Sequence, residues 1–303
     1  MQIRPRAVER IAPSARFHSW RVLAGVMAVE TLIGCTVLQP AATTPVEYGY
    51  KDAEAELDHF LCYVIDRNET DAFKGAKVTL KDQFLDEPKP VDVKDHVLLC
   101  NPVEKASSLD DEGKPKEGEP KNTPRHPLAH LVCYELVYDF RTARTVTNQI
   151  DKDGRRIKVV SAYALCAPSG KNKVTKEDPK PKTPEIPPEK DLDHFACYSP
   201  PPPETKEPPG KVVHLKDQFV DGNFNVKSPQ LLCNPVDKTV KGEKGEREMK
   251  RHHPNAHLVC YSVSPVKKGP VKEQAVIHSQ FENPALLKTA RVEYLCVPST
   301  KKA

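Results

Sequence analysis

The sequence predicts an all-β protein: two tandem small disulfide-bonded modules, each a sandwich or barrel with internal pseudo-twofold symmetry. Three observations predict it. Five sequence blocks recur in the same order, and eight cysteines sit at matching places inside them. The segments between are short and rich in Val, Leu, Tyr and Phe, bounded by Pro, Gly, Asp and Asn, which is strand punctuation.

The N-terminus reads as a targeting segment. Arg4, Arg6, Arg10, Arg16 and Arg21 stand there against Glu9 and Glu30. Removing residues 1–34 takes 46 basic and 42 acidic residues to 41 and 40, so the formal charge of +4 becomes +1. That balance gives no reason to expect nucleic-acid binding. Val22 to Gly34 is an apolar run too short to span a bilayer, which needs about 20 residues, but long enough for a signal-peptide core. Glu30 interrupts it. The run ends Leu32-Ile33-Gly34-Cys35, which resembles a bacterial lipobox. The expected organisation is a signal peptide over 1–34, lipidation at Cys35, and a flexible tether over 35–55. The implied location is the cell envelope, as an outer-membrane-anchored lipoprotein, or the extracellular space.

The repeat organises the remainder. LDHFLCY at 57–63 returns as LDHFACY at 192–198, LKDQF at 80–84 returns at 215–219, and LLCNPV at 98–103 returns at 231–236. HLVCY at 130–134 returns at 257–261, and Leu165-Cys166-Ala167-Pro168-Ser169 matches Leu295-Cys296-Val297-Pro298-Ser299. Each module is itself a doublet. HFLCY resembles HLVCY within it, Gln83-Phe84 has counterparts in Gln149-Ile150 and Gln280-Phe281, and the closing Leu-Cys block occurs twice. Modules are thus expected over 56–170 and 191–301, made of four half-modules. The Pro- and Lys-rich residues 171–190 are expected to be an extended, semi-rigid linker. Residues 104–125 and 237–252 read as charged insertions between half-modules that cannot fold alone.

Of nine cysteines, Cys35 belongs to the export segment. The eight others, Cys62, Cys100, Cys133, Cys166, Cys197, Cys233, Cys260 and Cys296, read as disulfides in an exported protein. Four cysteines per module allow three pairings. Separations within half-modules are similar (38, 33, 36 and 36 residues), which favours Cys62–Cys100, Cys133–Cys166, Cys197–Cys233 and Cys260–Cys296. Closing one such loop contributes roughly 3–4 kcal/mol by restricting the unfolded chain. Strand alternation in HFLCY places Phe60 and Cys62 on one face and His59, Leu61 and Tyr63 on the other.

The rival chemistry is metal binding. Histidine stands three residues before each first cysteine, and H-x3-H occurs twice, making His126, His130, His253 and His257 the candidate ligands. Against this, H-x2-C on a strand points its two ligands to opposite faces, and no C-x2-C knuckle is present. The blander reading is a histidine hydrogen-bonded beneath a loop or paired with Asp58 or Asp193. No G-x-S-x-G, P-loop, G-x-G-x-x-G or H-E-x-x-H motif occurs, so no catalytic residue and no cofactor is assigned. Asp82, Gln83 and Asn101 read as turn and strand-end residues. Tyr63, Tyr134, Tyr198 and Tyr261 read as half-buried strand residues or, alternatively, as a repeated aromatic patch.

Together, the HFxCY, DQF, LCNPV, HLVCY and LCxPS blocks resemble a domain of unknown function found, often in tandem, in predicted secreted bacterial proteins. The resemblance spans both modules and implies export and a repeated surface module, with no activity to carry over. The functional expectation is a non-catalytic exported lipoprotein that binds an unknown protein or polysaccharide or serves a structural role. The alternatives are a histidine-based metal-binding envelope protein and a hydrolase of an extracellular polymer.

Overall fold

A computed structural model describes residues 48–201, 210–242, 245–267 and 271–302. The signal peptide, Cys35 and most of the tether lie outside the described residues.

The chain is all-β, as the block pattern predicts. The first half-module supplies β1 (Phe60–Ile65), β2 (Ala76–Lys81), β3 (Lys89–Val93) and β4 (His96–Pro102), followed by β5 (Glu104–Ala106) and β6 (Lys121–Asn122). The second supplies the long β7 (His130–Thr147) and β8 (Arg155–Lys173). The third supplies β9 (Phe195–Ser199), β10 (Lys211–Lys216) and β11 (Asp221–Pro235), followed by β12 (Asp237–Gly242) and β13 (Gly245–Met249). The fourth supplies β14 (His257–Pro265), β15 (Gln274–Ser279) and β16 (Ala285–Lys302).

Eight cysteine-bearing strands close on themselves. β1 pairs with β4, β4 with β7, β7 with β8, β8 with β9, β9 with β11, β11 with β14, β14 with β16, and β16 returns to β1, all antiparallel. The result is one closed barrel built from both modules. Here the structure departs from the expected separate modules, because the described residues all belong to one compact unit, Val46–Ala303. The physical reason is edge satisfaction. A four-strand set from one module would leave two unpaired strand edges, which the other module covers.

Strand alternation sorts the side chains into two cores. Phe60, Cys62, Leu98, Cys100, Leu131, Cys133, and their counterparts point into the barrel, where a space of only about 10 Å³ remains. The interior is therefore packed. Leu61, Tyr63, Leu99, Val132 and Tyr134 point outward, yet they are fully buried as well. What covers them is the rest of each half-module.

Between its two cysteine strands, each half-module sends out a two-stranded arm, and each arm wraps past the next half-module around the ring. Lys89 near the tip of the first arm lies 3.9 Å from the Tyr138 ring, and Tyr138 on the second arm meets the Tyr198 hydroxyl at 3.1 Å. The arm then docks on the half-module opposite, pairing with the chain that leaves that half-module's second cysteine. β2 pairs with β12, the end of β7 with the end of β16, β10 with β5, and β15 with the end of β8. The charged insertions fold in this way: β5 and β12, read in isolation as polar loops, are strands because an arm from the opposite side supplies their partner.

Two further expectations are corrected. The tether's last residues form a helix, α1 (Tyr50–Glu56), whose Ala53 is buried with Leu57 in the inner core. The linker over 171–190 is not a free spacer. Lys171 to Lys173 extend β8, and Pro184 is buried where its carbonyl meets His278 Nδ1 at 3.0 Å. Gly170 permits this approach, since a Cβ there would collide with the Glu185 carbonyl.

Candidate functional site

The repeated polar residues come together at the arm tips. Asp82 Oδ1 accepts the amides of Phe84 (2.8 Å) and Leu85 (3.2 Å), and Asp217 Oδ1 accepts those of Phe219 (2.8 Å) and Val220 (2.9 Å). Asn148 does the same for Ile150 and Asp151, and Ser279 for Phe281. So far these are the local turns expected of such residues. The remaining oxygens reach across the barrel. Asp217 Oδ2 accepts the Tyr63 hydroxyl and the Asn101 amide, each at 2.8 Å, while Asp82 Oδ2 accepts the Tyr198 hydroxyl (3.0 Å) and the Asn234 amide (2.8 Å). Tyr134 bonds Ser279 (2.8 Å), and the Tyr261 hydroxyl donates to Asp151 (2.7 Å) and accepts the Asn148 amide (2.9 Å). The four tyrosines are thus neither half-buried nor an exposed patch. Each is a tie to the opposite half-module.

Beneath the arm tips, at the base of the barrel, lies a second repeated group. His130 and Ser169 are direct cross-strand partners, and Lys171, two residues on, shares their face. His257, Ser299 and Lys301 repeat this arrangement. In the other two half-modules, Val103 and Val236 donate their amides to the His59 and His194 carbonyls at 2.9 Å, and Lys105 and Lys238 follow two residues later. Every half-module therefore sets one histidine and one lysine side by side, all of them buried except Lys301, which is partly buried. Burial holds all four histidines well below the usual imidazole range, and the neighbouring lysine adds to the effect. Burial likewise lowers Lys105 to about 8, and Lys171 and Lys301 to about 7.

The tip glutamines join this group. Gln149 Oε1 accepts Lys105, and Gln280 Oε1 accepts both Lys238 and His194 Nε2, the latter at 2.6 Å. Lys301 donates to Asn234 Oδ1 at 2.8 Å. In the equivalent place Lys171 Nζ and Asn101 Oδ1 have no protein partner, and the Lys171 ammonium lies 3.9 Å over the Phe219 ring.

This arrangement sets an unusual pH dependence. A histidine or lysine whose folded pKa is depressed binds fewer protons folded than unfolded, so stability rises with pH through that window. For the histidines the window ends near the ordinary 6.5, and for Lys171 it runs from about 7 to 10.5. The four tie tyrosines are raised by burial, so their contribution is lost above pH 10. Thermal unfolding followed by circular dichroism is expected to show the midpoint climbing from pH 5 to about pH 9 and falling above 10. A flat profile or a maximum near pH 5 would contradict the buried pairs.

The candidate metal ligands diverge. His130 and His257 are buried beside their lysines, whereas His126 and His253 lie on the preceding loops. Turns closed by Ala129 N to His126 O and Ala256 N to His253 O break the strand on which the H-x3-H spacing would share a face. The His126 and His253 amides instead donate to Asp58 and Asp193 (2.9 and 2.8 Å). Among the described residues no group of three His, Cys, Asp or Glu side chains could hold a metal.

Two clefts open beside the equivalent histidines of the two modules. One, about 210 Å³, lies between α1 and residues 121–125 and is lined by Glu54, Asp58, His59, Lys121 and Arg125. Glu54 Oε1 and His59 Nε2 have no protein partner, and burial raises the Glu54 carboxyl. The other, about 490 Å³, is lined by Ile186, Pro188, His194, Arg247, Met249 and Gln280. A neighbouring depression of about 640 Å³ shares Ile186, Arg247 and Gln280 with it.

The lysines were not singled out by sequence reasoning. Their signal is L-C-x-P-x-x-K, present in all four half-modules and ending at Lys105, Lys171, Lys238 and Lys301. Comparison with family models, with curated proteins and with solved structures finds no match to the chain.

Proposed function

We propose that the protein is a non-catalytic, exported envelope lipoprotein whose doubly packed barrel is a rigid carrier for the two base clefts, which bind a protein or polysaccharide partner. One observation carries this reading. The repeated polar residues that could serve catalysis are engaged in internal ties, and the barrel interior is filled. Binding chemistry is left to the clefts, the first of which is lined by Glu54, Lys121 and Arg125. Four disulfides fit an oxidising, exported environment. Among the described residues no helix is long and apolar enough to cross a membrane. Lipid attachment at Cys35 would tether the carrier to the membrane.

The test is a glycan and envelope-protein array probed with residues 48–303, beside Arg125→Glu and Arg247→Glu variants that melt like the parent. Binding that falls at least tenfold in one variant supports the cleft reading. Binding equal in all three proteins, or turnover of an array component, overturns it.

A further inference from the structure

The four disulfides are Cys62–Cys100, Cys133–Cys166, Cys197–Cys233 and Cys260–Cys296, each joining directly opposed residues of adjacent strands within a half-module. Their eight sulfurs line one closed space at the centre of the barrel. Across the seams between half-modules the sulfurs also touch. Cys62 Sγ lies 3.6 Å from Cys296 Sγ, Cys166 Sγ lies 3.7 Å from Cys197 Sγ, and Cys233 Sγ lies 3.9 Å from Cys260 Sγ. The strand register is the same at each seam. Each cysteine faces the residue two places from its neighbour's cysteine: Phe60↔Cys296, Cys166↔Phe195, Cys233↔Leu258 and, at the fourth seam, Cys100↔Leu131. From Cys100 through Cys62, Cys296, Cys260, Cys233, Cys197 and Cys166 to Cys133, bonded and van der Waals sulfur contacts alternate.

From this geometry we infer that the belt is a thiol–disulfide relay, able to exchange its clasps within half-modules for clasps between them. A small dithiol reductant opens Cys62–Cys100, becoming a cyclic disulfide and leaving two thiols. The Cys62 thiolate attacks Cys296 Sγ; the Cys62–Cys296 bond forms, the Cys260–Cys296 bond breaks, and Cys260 leaves with the electron pair and takes up the proton that Cys62 lost. Cys260 then attacks Cys233 and releases Cys197, and Cys197 attacks Cys166 and releases Cys133. Each transfer conserves disulfides and thiols, as exchange requires. Three steps, each between sulfurs already in contact, move the free thiol from Cys62 to Cys133. Two of the new bonds, Cys62–Cys296 and Cys166–Cys197, join one module covalently to the other. Burial of all eight cysteines disfavours the thiolate, so the relay is slow at neutral pH and quickens in mild alkali.

The experiment is partial reduction of the native protein with dithiothreitol at pH 8.5, to about one disulfide lost per chain, then acid quench, alkylation and peptide mapping. The expected products carry Cys62–Cys296, Cys166–Cys197 and Cys233–Cys260, with label on Cys100 and Cys133. The same protocol in guanidinium gives the random distribution for comparison. Label confined to the two cysteines of an original disulfide, with no new pair, overturns the relay. So does a native-state product set matching the denatured control, such as Cys62–Cys166, which would mean scrambling after unfolding. A Cys100→Ser variant supplies a free Cys62 without reductant and is expected to contain Cys62–Cys296. If it does not fold, the wild-type mapping still decides.

Discussion

Residues 48–170 and residues 191–302, produced separately, are each expected to fail to fold, although each holds a complete four-cysteine set. All four tyrosine ties cross from one module to the other: Tyr63 to Asp217, Tyr134 to Ser279, Tyr198 to Asp82 and Tyr261 to Asn148. Two of the eight barrel seams cross as well, β8–β9 and β16–β1. Every arm loses its docking strand in a fragment, and the outward faces of the barrel strands are exposed. At about 25 cal/mol per Å² of apolar surface left uncovered, about 600 Å² is enough to cancel the upper end of the roughly 5–15 kcal/mol by which ordinary domains are stable. Thermal melts of the fragments should show no cooperative transition, and refolding the two together should restore one. A fragment that melts cooperatively would refute the shared barrel.

Asp82→Ala is expected to be the most damaging single substitution at the arm tips, at about 3–5 kcal/mol. Its carboxylate accepts four hydrogen bonds, from Phe84, Leu85, Tyr198 and Asn234, and the Lys301 ammonium feels its charge. Removing it leaves the buried Asn234 amide without its acceptor and the Tyr198 hydroxyl with only the Tyr138 hydroxyl, opens the turn, and strips Lys301 of a favourable negative charge. Ser279→Ala at the equivalent place in the fourth half-module should cost only about 1 kcal/mol. There the Tyr134 hydroxyl retains Glu282 at 3.0 Å. Urea unfolding of the two variants measures the contrast, and equal costs would show that Asp82 is a turn residue and no more.

The two substitutions also show where sequence reasoning stopped. Asp82 and Ser279 were legible as turn formers because an Asx or serine turn is a local interaction, closed within three residues. Their second role depends on tyrosines more than 100 positions away, and no local pattern encodes that separation. The clefts are similar. His59 and His194 were visible as repeated histidines, but what faces them is α1 in one module and the former linker in the other. Both segments read as solvent-exposed until the barrel gave them a surface to lie on.

Lys105, Lys171, Lys238 and Lys301 make the same point from the other side. A lysine at the end of a strand reads as solvated charge, which is the correct inference for a strand with one open face. Lys105, Lys171 and Lys238 are buried, and Lys301 partly so, because an arm from another half-module closes over them.

What the sequence alone determined is the all-β class and the fourfold recurrence of cysteine, tyrosine, histidine and tip residue. Periodicity and turn chemistry act over a few residues and can be read along the chain. Tertiary structure alone decided that the four half-modules form one barrel rather than two domains, that each arm docks on the half-module opposite, and that the sulfurs of separate disulfides meet. Closing a sheet is cooperative. The two outermost strand edges cannot be satisfied until the last strand is in place, so the barrel belongs to the whole chain and to none of its repeats.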